Sequence, residues 1–278
     1  MMLFPPVALR VRAVHDVMDT FHHPLLVQAE DGGLYYLKYA KTQLYQLTCE
    51  WLCHYLLRAW KVTTPDVAVL SVPAGLLETM PPQARDAWRW LDKPAFGSRQ
   101  VVASVESSSF TNYGTTAELA VLSNPDELLW VALFDAWVAN DDRRASHHNL
   151  LLGTDADAGP RKLRCYAIDH AFTFTSQRFE ALDSRETYYS FNTNLSQAPA
   201  VRVVLDEWRA KWPLLWSSEY ERGFYLRVEK CRQHFSTICS MLPEPFQLSA
   251  TEQTKVADFL FNEARLAQLW AEFFSSLP

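Results

Sequence analysis

The 278-residue sequence predicts an α+β chain in two parts, and three observations carry that reading. The first 72 residues read as strands around one helical stretch. After residue 114 the apolar periodicity is mostly helical. Between these regimes, residues 135 to 174 hold DAWVANDDRRASHHNLLL, a short spacer and KLRCYAIDHAFTF. In that segment carboxylates and an Asn stand at the ends of apolar runs.

RVRAVHDVM (10 to 18), PLLVQAED and LYYLKYA read as strands. Gly32 and Gly33 lie between the last two, a hairpin signal between apolar runs. Residues 43 to 60 carry apolar side chains at 44, 47, 51, 52, 55 and 56, which is helical spacing. Pro65 stops that helix, and VAVLSV (67 to 72) is a further strand. Residues 73 to 100 contain Pro and Trp without a clear period and are expected to be irregular, ending in PAFGSRQ. QVVASVE is the expected strand that crosses to the second part. SNPDELLWVALFDAWVAND then opens a helix, with Ser123 as its cap, Pro125 in its first turn, and Asp126 and Glu127 behind. Three more helices are expected, roughly over 198 to 211, 218 to 241 and 250 to 275.

Bulk properties exclude some functions. Nearly half of the residues are apolar, enough for a substantial core. A net charge of -6 argues against a broad nucleic-acid surface, where a basic excess is expected. No run is long and apolar enough to span a bilayer. MMLFPPVALRVRAV lacks the basic and then apolar pattern of a leader, so a cytoplasmic protein is expected. Five Cys without a CxxC pair suit a reduced compartment and are expected as small core residues.

The motif segment points to phosphoryl transfer. Such a site needs a carboxylate to orient the attacking hydroxyl, and an Asn and an Asp to hold Mg²⁺ on nucleotide phosphates. Asp142 fits the first role, with adjacent Asp141 as the alternative; Asn149 and Asp169 fit the metal role. Arg143 would hold the loop or offset phosphate charge. The spacer from Asp142 to Asn149 is longer than in the H-R-D-L-x-x-x-N loop of protein kinases. Lys38, on the third strand, is placed to grip phosphates, paired with Glu50 of the next helix; Lys41 is a weaker substitute. Alone, each would pass for an ordinary surface residue. No GxGxxG is present, so phosphate capture would fall to the loop at Thr20 to Pro24. Ser98-Arg99 reads equally as a site element or a turn. The pairs His22-His23 and His147-His148 lack metal-ligand spacing.

These pieces resemble the HipA-like kinases. The match rests on PLLVQAEDGGLYYLKYA, the helix with Glu50, PAFGSR, NDDRRASHHNLLL and YAIDHAFTF. Family members resemble a pattern of Asn-x-Asp-Arg, a spacer, Asn-Leu-Leu and Ile-Asp-His-Gly. It is met at Asn140, Asp142, Arg143, Asn149, Leu150, Leu151, Ile168, Asp169 and His170. Ala171 departs from it. The resemblance covers roughly residues 10 to 245.

It implies a bilobal protein-kinase-like fold: a small β-rich N-lobe with one helix (1–104) and a larger, mostly helical C-lobe (105–278). It also implies ATP and Mg²⁺, with Lys38 and Glu50 on the nucleotide, Asp142 and Arg143 catalytic, and Asn149 and Asp169 on metal. A protein Ser/Thr hydroxyl is the expected acceptor, with a small-molecule hydroxyl as the alternative. Two other readings stand beside it: a pseudokinase that binds nucleotide without turnover, and, last, a metal-dependent hydrolase using His147 and His148.

Overall fold

The computed structural model describes residues 4–18, 24–39, 44–77, 93–102, 104–106, 114–140, 142–143, 149–159, 161–176, 178–185 and 195–278. Its N-terminal part is a closed five-stranded barrel in the order β1-β2-β3-β5-β4. The strands are β1 (Val7–Val17), β2 (Leu25–Ala29), β3 (Leu34–Lys38), β4 (Val67–Ser71) and β5 (Ala95–Arg99). β2 and β3 form the expected hairpin: Gly32 turns it with φ +78°, which glycine adopts at little cost. The Asp31 carboxylate accepts from Gly33 N at 2.9 Å and from the Tyr35 hydroxyl at 2.8 Å, pinning the turn.

β5 corrects the sequence reading. AFGSR was expected to be irregular or a turn, yet it is the strand that joins β3 to β4 and closes the barrel. The signal is weak because AFGSR holds no β-branched residue and has a glycine, Gly97, at its centre. That glycine is required by a close approach, since a Cβ there would lie 2.5 Å from Leu70 Cδ1. Inside the barrel Val11, Leu25, Val27, Leu37 and Leu70 form a compact apolar core. Strand alternation puts Leu37 into this core and leaves Lys38 on the outer face.

Helix α1 (Leu44–Trp60) is buried on nearly every side. The barrel covers one side of it and the C-terminal helices the other. Its residues belong to one continuous core with those helices, separate from the barrel interior. Trp51 meets Phe96 of β5 edge-on at 5.0 Å, and Trp60 stacks on Trp137 at 5.0 Å. α1 shares its apolar core with the C-terminal helices and packs on β5, and so ties the barrel to the helical part.

The short helices α2 (Ala74–Leu77) and α3 (Thr116–Leu119) flank the crossing between the parts. β6 (Val105–Glu106), β7 (Leu150–Thr154) and β8 (Leu163–Ala167) form a second antiparallel sheet, and β6 supplies the expected crossing strand. Helix α4 (Glu127–Trp137) is buried from Leu128 onward. Ser123 is not its cap: the hydroxyl donates to Leu163 O at 3.2 Å, and Asp126 stands at the cap position.

The remaining helices are α5 (Pro199–Lys211), α6 (Trp216–Met241), α7 (Ala250–Phe261) and α8 (Glu263–Ser276). The last two were expected as one. Asn262 breaks them, and its side chain accepts from Arg265 N at 3.0 Å to start α8. Among the described residues no helix is long and apolar enough to cross a membrane. All five Cys are free and buried, as a core role requires.

Candidate active site

Most of the expected site residues lie at or near element ends, and they converge on one region. Lys38 ends β3, Glu50 lies in the middle of α1, Asn149 immediately precedes β7, and Asp169 follows β8 by two residues. Lys38 Nζ lies 2.8 Å from Asp169 Oδ1 and also pairs with Glu50 Oε1. The other Glu50 oxygen accepts from His170 N at 3.1 Å. Glu50 thus holds both the lysine and the backbone behind Asp169. Burial alone would lower the Lys38 pKa, but the two carboxylates outweigh it and hold the ammonium above its ordinary value. Burial raises the Glu50 carboxyl, while Lys38 overcomes burial at Asp169 and lowers that one.

Asp142 and Asn149 also meet: Asn149 Nδ2 donates to Asp142 Oδ2 at 3.1 Å. Asp142 N donates to Asn140 Oδ1 at 3.2 Å, which fixes the backbone beneath the carboxylate. The alternative carboxylate Asp141, the substitute Lys41, the loop residues 20–23 and the pairs His22-His23 and His147-His148 lie outside the described residues.

Arg143 sits beneath this pair, its side chain fully buried. Its Nε donates to Asp135 Oδ2 at 2.5 Å, Nη1 to Asn149 O at 2.5 Å, and Nη2 to Ile168 O at 3.2 Å. Nη2 also lies 3.0 Å from His170 Nε2. Burial and then the Arg143 charge push the His170 pKa well down, so the ring is neutral and Nε2 accepts. Of the two roles open to Arg143, this geometry matches holding the loop. The guanidinium stitches the turn before β7 to the turn after β8, and Ile168 N donates back to Asn149 O at 3.0 Å.

Asp135 is the residue that sequence reasoning missed. It is fully buried in α4, pairs with Arg143 and accepts from Asn140 Nδ2 at 2.9 Å. A signal was present: a lone carboxylate inside ELLWVALFDAW demands a buried partner. Burial raises its pKa despite Arg143.

Two features fit a hard divalent cation carried in on phosphates. Asp169 Oδ1 is buried without a hydrogen-bond donor beyond its ion pair with Lys38. Lys38, Glu50 and Asp169 together carry an excess of negative charge. Oxygen donors of this kind, few and incomplete as a cage, are how proteins share Mg²⁺ with a nucleotide. Among the described residues no three His, Cys, Asp or Glu side chains cluster as a closed metal site. Ala171 needs no glycine, because it is not among the residues with positive φ.

This fold and a match to a kinase family make the chain a phosphotransferase of the kinase class. The HipA-like kinase family matches residues 11–274, which includes the helices α7 and α8 beyond the stretch whose resemblance the sequence showed. The chain belongs to that family. No curated relative matches it. Among solved structures it is similar to the proinflammatory kinase CtkA of Helicobacter pylori, with TM-score 0.58 and 11% identity over 98% of this chain and 97% of that one. The Golgi casein kinase with Mn/ADP bound has TM-score 0.44 and 10% identity over 98% of this chain and 74% of that one.

Proposed function

We propose that this kinase transfers the γ-phosphoryl group of ATP, with Mg²⁺, to a serine or threonine hydroxyl of a protein. The observation that carries the reading is the Lys38, Glu50 and Asp169 cluster joined through Arg143 to the Asp142–Asn149 pair. Lys38 would neutralise phosphate oxygens, with Glu50 keeping its ammonium in place. Asp142 would orient the acceptor hydroxyl and take its proton. Asn149 and Asp169 would supply oxygen ligands to the metal, which when bound draws charge from the phosphates and aligns them. Arg143 acts as a positioning residue, since its donors are engaged by protein acceptors.

We further infer a bilobal working arrangement. Residues 1–104 are the nucleotide lobe and 105–278 the catalytic lobe, with the cleft where Lys38 faces Asp169. We infer a partner set without nucleic acid, which accords with the net charge of -6, and a cytoplasmic site of action. Of the two motives for the pseudokinase reading, Ala171 loses weight because its φ is not positive, and the missing Gly-rich loop remains.

The test is ATP binding by calorimetry with and without Mg²⁺, followed by radiolabelled γ-phosphate transfer to generic protein acceptors. Asp142→Ala should abolish transfer and leave binding largely intact. Asp169→Asn should remove the Mg²⁺ dependence of binding. Binding without transfer by the unaltered chain would favour the pseudokinase, and no binding at all would sink the assignment.

A further inference from the structure

A second cavity, of about 490 Å³, lies apart from the transfer site and is lined by none of its residues. It is lined by the segment that leaves β5, the turn after α1, and residues of strands β7 and β8. Four cations line it, Arg58, Lys61, Arg99 and Arg164, against one carboxylate, Asp66. That imbalance stands out in a chain of net charge -6.

The cations differ in how they are held. Arg164 is committed, with Nε donating to Asp155 Oδ2 at 2.9 Å. Arg58 reaches Asp66 only at 3.6 Å, and Arg99 reaches Asp31 only at 3.9 Å; both pairs are well exposed. Lys61 has no ion pair among the described residues. Its backbone is left-handed at φ +60°, a conformation uncommon for a side chain of this size. Loose exposed pairs contribute little, so an entering anion displaces them at small cost. The rest of the wall is different in kind. Val62, Pro65, Val101 and the half-buried Tyr166 ring give it an apolar side, while the Thr63 hydroxyl is engaged by Glu127 at 3.0 Å.

We propose that this cavity binds a small phosphorylated molecule with an aromatic or apolar body, of nucleotide size, at a site separate from the transfer site. The volume falls in the range of small-molecule pockets. The guanidinium groups and Lys61 suit phosphate oxygens. The apolar side suits a ring, and inorganic phosphate alone would leave it unused. A ligand seated there touches the end of α1, which carries Glu50, and β8, which runs to Asp169.

The test is calorimetric titration of the full chain with AMP and with inorganic pyrophosphate, at low salt and without Mg²⁺. The proteins are the unaltered chain, R58E/K61E, the milder Lys61→Ala, and Lys38→Met. Both substituted cavity residues are solvent-exposed, and a thermal melt checks that the fold is kept. The expected result is saturable AMP binding, at least about tenfold weaker in R58E/K61E, partly weakened in Lys61→Ala, and retained in Lys38→Met. Pyrophosphate should bind more weakly than AMP. The proposal is overturned if neither probe binds, if R58E/K61E matches the unaltered chain, or if Lys38→Met abolishes AMP binding. Equal affinity for the two probes would overturn the assignment of a ring-bearing ligand.

Discussion

Asp135→Asn removes a charge and almost no volume, and so isolates what holds the site together. Asp135 and the Arg143 side chain are both fully buried, and the pair is made at 2.5 Å. Breaking such a pair leaves an uncompensated guanidinium inside the protein, at a cost of about 3–5 kcal/mol. Domain stabilities are about 5–15 kcal/mol, so the loss is a large share of the whole. For a chain of 278 residues the entropy of unfolding is about 0.6 kcal/mol/K, which converts that cost to a melting point lower by about 5–9 °C. Transfer should fall roughly 100-fold, the size expected when catalytic groups shift by about 1 Å. A companion variant separates stability from positioning. Asp135→Leu with Arg143→Met replaces the buried pair by apolar groups, which is often neutral for stability. The Asn149 carbonyl nevertheless loses one of its two donors, and the Ile168 carbonyl loses its bond from Arg143. The double variant should recover its melting point but not its turnover. If Asp135→Asn melts with the unaltered chain, or the double variant regains transfer, the account of Arg143 is wrong.

Three further outcomes are expected. Lys38→Met should weaken ATP binding about 10- to 100-fold, read by calorimetry, because Glu50 and Asp169 then face the phosphates uncompensated. His54 and His170 are buried and neutral, His54 pushed down to about 3 by burial and then by Arg58, from an ordinary 6.5. The unfolded chain takes up their protons below 6.5 and the native chain does not. Stability should therefore fall with pH below 6.5, by roughly 1 kcal/mol per pH unit for each histidine, and His54→Leu should shed its share in urea melts. Asn149→Gly and Asn149→Ala should both lose transfer, with the Gly variant more stable by about 1 kcal/mol because φ at this position is +46°.

The elements that were legible in the sequence are those whose residues act locally. The hairpin turn at Gly32, the period of α1 and the start of α5 at Pro199 each follow from short-range chemistry. β5 was not legible, because AFGSR is a strand only through pairing with β3 and β4, both far off in sequence. The break at Asn262 was hidden for another reason: an apolar pattern runs through it, and only the capping amide betrays the new start. At the site, Lys38, Glu50, Asp142, Asn149 and Asp169 were visible as motif residues, and the structure places each at an element end or facing one. Asp135 was not noticed, since its partner lies eight residues on and its role exists only once α4 is buried.

The two residues proposed to hold metal share a backbone property that ties the chemistry to the fold. Asn149 has φ +46° and Asp169 has φ +55°, both in the left-handed region that costs a side-chain-bearing residue of order 1 kcal/mol. Asn and Asp tolerate that region better than other residues with side chains. They are also the types whose short oxygen-bearing side chains suit Mg²⁺. One choice of residue thus meets two demands, a sharp turn at a strand end and a ligand at its apex. The strain must be opposed by something rigid. Arg143 donates to the carbonyl of Asn149 itself and to that of Ile168, the residue before Asp169. The same guanidinium is anchored by Asp135 in α4, a helix buried from Leu128 to Trp137. A surface loop could carry the same side chains but would relax out of both turns. The apolar burial of α4 therefore reaches the proposed metal site through a single cation.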